Sequence, residues 1–192
     1  MKKAGIEHKS LVVELLCKSF NDNLSVNFIL KKSGDKAKKL QNLMDYSFEV
    51  CNAFGDVFLS DDDKACALVL YPEQKRNTIK SMWLDVKLIL HVVGVANIFK
   101  VTNREKAIKN NYPEGPFYYL WFIGVSTQDQ RKGIGSNLLK EIIMDADQKG
   151  KSIYLETSMP GNLAWYQKFG FSVYNQLEFG YTLYLFNRII SA

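Results

Sequence analysis

Residues 117–125 read Phe-Tyr-Tyr-Leu-Trp-Phe-Ile-Gly-Val, a run with no charged side chain. A strand this continuously apolar and aromatic suits a central position, buried on both faces rather than on one. That constrains the fold: the sheet around it has to be covered on both sides. Five residues later the chain reads Gln130-Arg131-Lys132-Gly133-Ile134-Gly135-Ser136 and enters an amphipathic segment with Leu138, Leu139, Ile142, Ile143 and Ala146 on one side. A buried strand thus feeds a basic, glycine-rich bend that opens a helix.

Such a bend has a defined chemistry. The first N–H groups of a helix have no internal partner, and the helix dipole adds partial positive charge there. Glycines remove side chains so that an anion can reach the backbone, and Arg131 and Lys132 supply full charges beside it. The bend therefore suits a pyrophosphate. GxxxxGK[ST] is absent, and the position three after Gly135 is Leu138, so neither nucleotide-binding fingerprint is met. A plain glycine turn before a helix is the alternative.

The remaining pattern fills in an architecture. Lys3–Ile6 reads as a short first strand, and Leu11–Phe20 as a helix. Asp35–Ala53 reads as a second helix, with Asp35 as its N-cap and Leu40, Leu43, Met44 and Phe48 along one stripe. Residues 56–60 and 65–71 form a hairpin. Two helical segments, about 79–93 and 95–110, make an insertion before the central strand, closed by Tyr112–Pro116. A helix over 135–149, a strand at Ser152–Glu156, a short helix at Asn162–Phe169 and an antiparallel pair around Gly180 complete the chain. The sum is an α/β or α+β sandwich, read as one domain over 1–192 with the helical insertion at about 73–116.

Composition limits the function. Formal net charge is +5, which suits phosphate-bearing ligands. The only basic cluster is Lys31–Lys39, read as a solvated helix start, so nucleic acid is not expected as a partner. Cys17, Cys51 and Cys66 form no CxxC pair and read as buried thiols. His8 and His91 lie far apart, so no metal site is expected. Asp61, Asp62 and Asp63 lack the spacing of a calcium loop and read as a turn. Leu88–Ala96 is too short to span a bilayer, and the apolar run near the N-terminus lacks signal-peptide features. A cytoplasmic protein with no membrane partner is the expectation.

The stretch from Gly124 to Ile143 resembles the acetyl-coenzyme A signature of the GNAT superfamily of N-acetyltransferases. It matches at Val125, Gln130, Gly133 and Gly135, with Thr127 where proline is usual. A second stretch, 155–174, resembles the element that completes the family's site, with matches at Asn162, Tyr166, Lys168, Gly170 and Phe171. Its form is similar to the branch containing puromycin N-acetyltransferase. The resemblance covers about 117–174. It implies a mixed, mostly antiparallel sheet flanked by helices, and acetyl-coenzyme A as cosubstrate. It also implies that Gln130, Arg131, Lys132, Gly133, Ile134, Gly135 and Ser136 hold the pyrophosphate. The pantetheine arm would lie along Ile123, Gly124 and Val125, with Asn162 bonding one of its amides. Asn162 could also serve as a helix N-cap.

Transfer of an acyl group to an amine needs a neutral amine, a stabilised tetrahedral oxyanion and a protonated leaving thiolate. The resemblance places Tyr166 as general acid, and the plain alternative is an aromatic packed on its helix. No carboxylate stands on residues 117–125, where many relatives carry a glutamate, so Glu156 is the candidate base. Its alternative is a hydrogen-bonded strand-end carboxylate. The oxyanion donor would be a backbone N–H near Val125. The aromatic supply, with Phe28, Trp83, Tyr118, Tyr119 and Tyr181 as candidates, favours a small amphipathic amine as acceptor. A protein or peptide amine, and a coenzyme A-binding regulator without catalysis, are the competing readings. The resemblance also allows a homodimer.

Overall fold

The computed structural model describes residues 1–190. Seven strands form one sheet in the order β1 (Lys2–Lys3), β2 (Gly55–Leu59), β3 (Ala65–Leu70), β4 (Tyr118–Val125), β5 (Ile153–Thr157), β7 (Thr182–Arg188) and β6 (Ser172–Glu178). Every neighbouring pair is antiparallel except β4 and β5. The helices are α1 (Lys9–Phe20), α2 (Leu24–Ile29), α3 (Lys36–Phe54), α4 (Ile79–Leu88), α5 (Ile98–Lys109), α6 (Ile134–Gln148) and α7 (Leu163–Gln167).

The sheet has a core on each face, as the apolar run at 117–125 requires. On one face α1 and α3 lay Leu16, Leu43, Met44 and Phe48 against Leu68, Tyr119 and Phe122. On the other, α6 and α7 pack Leu138, Leu139, Ile142 and Tyr166 against Tyr118, Leu120, Leu155 and Phe186. Asp35 caps α3 as expected, its carboxylate accepting from Ala37 N at 2.8 Å and Lys38 N at 3.4 Å. Such a cap contributes about 1 kcal/mol.

One irregularity sets the geometry of the centre. Val69 pairs with Leu120, but Leu68 pairs with Phe122, so Trp121 is an extra residue in β4. Side chains alternate between faces along a strand, and a bulge resets that alternation. Tyr119, Trp121 and Phe122 therefore all face the α1/α3 side, while Tyr118, Leu120, Ile123 and Val125 face α6.

Three local expectations are revised. The first strand ends at Lys3, because the chain turns into a 3-10 segment at Ile6–His8 with His8 N donating to Gly5 O at 3.0 Å. Cys17 is only half-buried; Cys51 and Cys66 are buried. Lys39 is not solvated. It is buried, and its Nζ donates to the Lys31 and Ser33 carbonyls at 2.6 and 3.1 Å, satisfying a loop that has no ladder of its own.

Candidate active site

The site grows from the seam between β4 and β5. These parallel strands pair only at Tyr118 with Ile153 and Tyr119 with Tyr154, then separate. Beyond Tyr119, β4 is bonded on its β3 side alone. The direction of its free groups follows from one contact: Ser126 N donates to Lys64 O, so Ser126 points toward β3. Alternation then turns Gly124 toward β3, and the N–H and C=O of Ile123 and the N–H of Val125 toward the open seam. Unpaired strand groups are a template for an extended chain, so this edge fits the amide-bearing arm of coenzyme A. Ser19 Oγ donates to Val125 O at 2.9 Å and fixes the end of β4 to α1. A Cβ on Gly124 would lie 2.9 Å from that same Ser19 Oγ, so only glycine lets α1 come this close.

The bend follows at the mouth of the seam. Gly133 is the α6 N-cap, with φ 84° and ψ −7°, a left-handed conformation that glycine adopts without strain. No side chain caps α6 and its first turn holds no acid, so its N–H groups and dipole are left for an external anion. Arg131 also has a positive φ, 64°. Gln130, Arg131 and Lys132 are exposed, and Ile134, Gly135 and Ser136 half-buried. Lys132 pairs with Asp129 at 2.9 Å, while Arg131 makes no ion pair among the described residues and is the freer cation. A Cβ on Gly135 would stand 2.9 Å from Val125 Cγ2, so that glycine lets α6 close on the strand end. Trp165 Nε1 donates to Ser136 Oγ at 3.0 Å and ties α7 to the same turn.

Asn162 begins α7, but its side chain makes no capping bond; it is exposed and its amide is free. Tyr166 is buried among Trp165, Phe171 and Phe186, with ring centroids 4.8, 5.6 and 5.5 Å away. Burial raises its hydroxyl well above the ordinary phenol range, which keeps it protonated. No buried polar side-chain atom of the described residues lacks a partner.

Across the sheet from Tyr166 lies a cavity of about 730 Å³ between the β4/β5 seam, α2 and the α4–α5 insertion. Its aromatic wall runs through Tyr46, Trp121 and Tyr119, with centroid steps of 6.3 and 6.5 Å. A carboxylate stands at each end. Tyr46 donates to Asp85 Oδ1 at 2.7 Å, and Tyr119 donates to Glu156 Oε2 at 2.6 Å. Glu156 keeps an opening to the cavity but is otherwise walled in by protein. Burial pushes its pKa up to about 7; the Tyr119 hydrogen bond and the Arg104 charge pull it down, and Glu105 pushes it up. A carboxylate poised there can exchange a proton at neutral pH.

Arg104 is the residue that the sequence reading missed. Its side chain is buried, with Nε donating to Tyr181 Oη at 2.9 Å, Nη1 to Glu105 Oε1 at 2.5 Å and Nη2 to Ser25 Oγ. Its spacing from Ile108 puts both on the inner stripe of α5, a signal present in the sequence. Of the aromatic candidates for the acceptor site, only Tyr119 lines the cavity. Tyr118 faces the other side and donates to Asp145 Oδ2 at 3.0 Å, because it precedes the bulge by an odd step. Phe28 and Tyr181 pack against each other at 5.4 Å behind Arg104. Trp83 is on the outer side of α4. Neither histidine lines the cavity.

Comparison with known proteins identifies the family and the fold. Residues 49–171 match the Acetyltransferase (GNAT) family. An uncharacterized N-acetyltransferase of Schizosaccharomyces pombe is 44% identical over 59 residues, 31% of this chain but only 24% of that protein. The fold is shared with a crystal structure of histone acetyltransferase HPA2 and related acetyltransferase from Corynebacterium glutamicum. That likeness has a TM-score of 0.74 at 18% identity and covers 100% of this chain and 96% of that one. It is shared too with arylalkylamine N-acetyltransferase 2 from Aedes aegypti, at a TM-score of 0.65 and 14% identity over 99% and 98% of the two chains. These relatives single out no branch. The splayed parallel pair, the uncapped α6 and the matched stretch lead to one statement: the chain belongs to the Acetyltransferase (GNAT) family.

Proposed function

We propose that the protein acetylates the primary amine of a small amphipathic molecule held in the cavity beneath the insertion. The observation that carries this reading is the cavity itself: an aromatic wall with a carboxylate at each end, one of them Glu156 at the β4/β5 seam. Aromatic surface takes up an apolar body, and the carboxylates attract and orient a protonated amine.

Acetyl-coenzyme A supplies the activated acetyl thioester. Gly133, Ile134, Gly135 and Ser136, with Arg131 and Lys132, hold its pyrophosphate at the mouth of α6. The outward N–H and C=O of Ile123 pair with its arm, and Asn162 gives the arm a further amide partner. Glu156, with its pKa near 7, removes the proton from the bound ammonium, directly or through one water. The Val125 N–H at the open edge faces the developing oxyanion. Tyr166, protonated and on the opposite face of the sheet, donates a proton to the departing thiolate.

The Aedes aegypti neighbour is an arylalkylamine acetyltransferase by name, which supports a small-amine acceptor. The Corynebacterium glutamicum neighbour is described as related to a histone acetyltransferase, which keeps a protein amine as the second reading. Calorimetric titration with acetyl-coenzyme A, followed by thiol release across a panel of amines and of peptides, separates them. Release with aromatic or diamine substrates and none with peptides is the expected result. Turnover of peptides alone would overturn the small-amine reading.

A further inference from the structure

The insertion carries an apolar stripe that nothing among the described residues covers. Ile79, Met82, Trp83 and Leu90 recur at helical spacing along one side of α4 and its continuation. Val95 and Phe99 follow across the bend at Gly94. All six are between 53% and 80% exposed. The stripe is not core turned outward, since the other side of α4 already faces the protein with Ser81, Leu84, Asp85 and Leu88. Exposed apolar side chains grouped along one side of a helix, as Ile79, Met82, Trp83 and Leu90 are, mark an interaction site.

The charges around it select the partner. Between residues 75 and 110 the only acids are Asp85 and Glu105. Both turn inward to line the cavity, held by Tyr46 and Arg104. Lys75, Arg76, Lys87, Lys100 and Lys106 are all exposed, while Lys80 is held by Glu49 of α3 at 2.9 Å. Two copies joined through this face would bring lysine against lysine, which disfavours self-association. An anionic phospholipid surface answers both features, with phosphate for the lysines and the acyl boundary for the stripe. Among the described residues no single helix is long and apolar enough to cross a membrane, and the two helical halves of the insertion are bent by 96°. Lying in the interface needs no spanning length.

We infer that the α4–α5 insertion docks the protein onto an anionic membrane surface, with Trp83 and its neighbours on the stripe inserted at the headgroup boundary. The inference does not depend on the acceptor or on catalysis. It is tested on the whole protein by flotation with phosphatidylcholine vesicles, with and without phosphatidylserine, at low and high salt. Binding should require phosphatidylserine and weaken with salt, and tryptophan emission should shift to the blue in the parent but not in Trp83→Phe. Because the stripe is exposed, Trp83→Glu combined with Leu90→Glu should keep the parent's melting temperature and lose roughly tenfold or more in partitioning. The inference falls if the parent stays unbound on phosphatidylserine vesicles at low salt, or if the folded double variant binds as well as the parent. It falls equally if sedimentation shows a dimer that Met82→Glu dissolves while vesicles remain unbound.

Discussion

The Tyr119 hydroxyl donates a 2.6 Å hydrogen bond to Glu156 Oε2, from one strand of the open seam to the other. The bond favours the charged carboxylate and opposes the burial that lifts Glu156 to about 7. In the parent, kcat/KM should rise with pH through about 7 as Glu156 loses its proton. Removing the bond in Tyr119→Phe should move that limb to higher pH without abolishing it. Glu156→Gln should remove the limb and lower the rate by about two to four orders of magnitude. A Gln variant with the parent's pH profile would show that another group is the base.

The same carboxyl group links pH to stability. Its pKa is about 7 when folded and 4.5 in the unfolded reference, so the native state binds more proton between those values. Its stabilising contribution is full below 4.5 and is lost as pH rises through about 7. Glu156→Gln should therefore melt above the parent at about pH 8, and the gap should shrink toward about pH 5. Melting curves across that range read the difference directly. A variant that is more stable and inactive would show that the site holds its carboxylate at a cost to the fold.

Tyr166→Phe removes one hydroxyl from an apolar nest and leaves the ring contacts with Trp165, Phe171 and Phe186 in place. Turnover should fall by about a hundredfold while the calorimetric affinity for acetyl-coenzyme A stays within about twofold. Equal turnover would return Tyr166 to a packing role.

Gly133→Ala places a side chain at φ 84°, a conformation costing about 1–2 kcal/mol for other residues. Nothing lies within 4 Å of the added Cβ, so the fold should tolerate it. The distorted turn should raise KM for acetyl-coenzyme A with little change in kcat. Gly135→Ala should do more damage, because its Cβ meets Val125 at 2.9 Å and pushes α6 off the strand end.

Arg104→Met keeps the length of the buried side chain and removes its charge and its bonds to Tyr181, Glu105 and Ser25. Stability should fall by about 2 kcal/mol, read by denaturant titration. The Arg104 charge also lowers the Glu156 pKa, so the pH–rate limb should shift upward as in Tyr119→Phe.

Much of this was legible in the chain. The apolar run at 117–125 announced a two-sided sheet, and the Gly133–Gly135 bend announced the glycine-opened, uncapped start of α6. Both signals are local, carried by residues adjacent in sequence. What stayed hidden depends on contacts across the fold. The bulge at Trp121 has no marker of its own, yet it decides that Tyr119 and Trp121 face the cavity while Tyr118 does not. Lys39 reads as one more solvated lysine until the Lys31 and Ser33 carbonyls arrive to hold it. Arg104 lies between the two cases: its place on the inner stripe of α5 was readable, but its partners come from α2 and the final hairpin.

Two rungs of parallel ladder are all that join β1–β4 to the β5–β7–β6 half of the sheet. An acyl donor bound in the seam as proposed would be annexed as a partial strand, and the protein would be completed by its own reactant. Amide exchange at Ile123 and Val125 should be fast in the free protein and slow once acetyl-coenzyme A is bound. At a hundred times its Kd, the thioester would add about 2.7 kcal/mol of stability. The resistance of this chain to heat and proteolysis would then rise and fall with the acyl supply around it, making its lifetime a gauge of that supply.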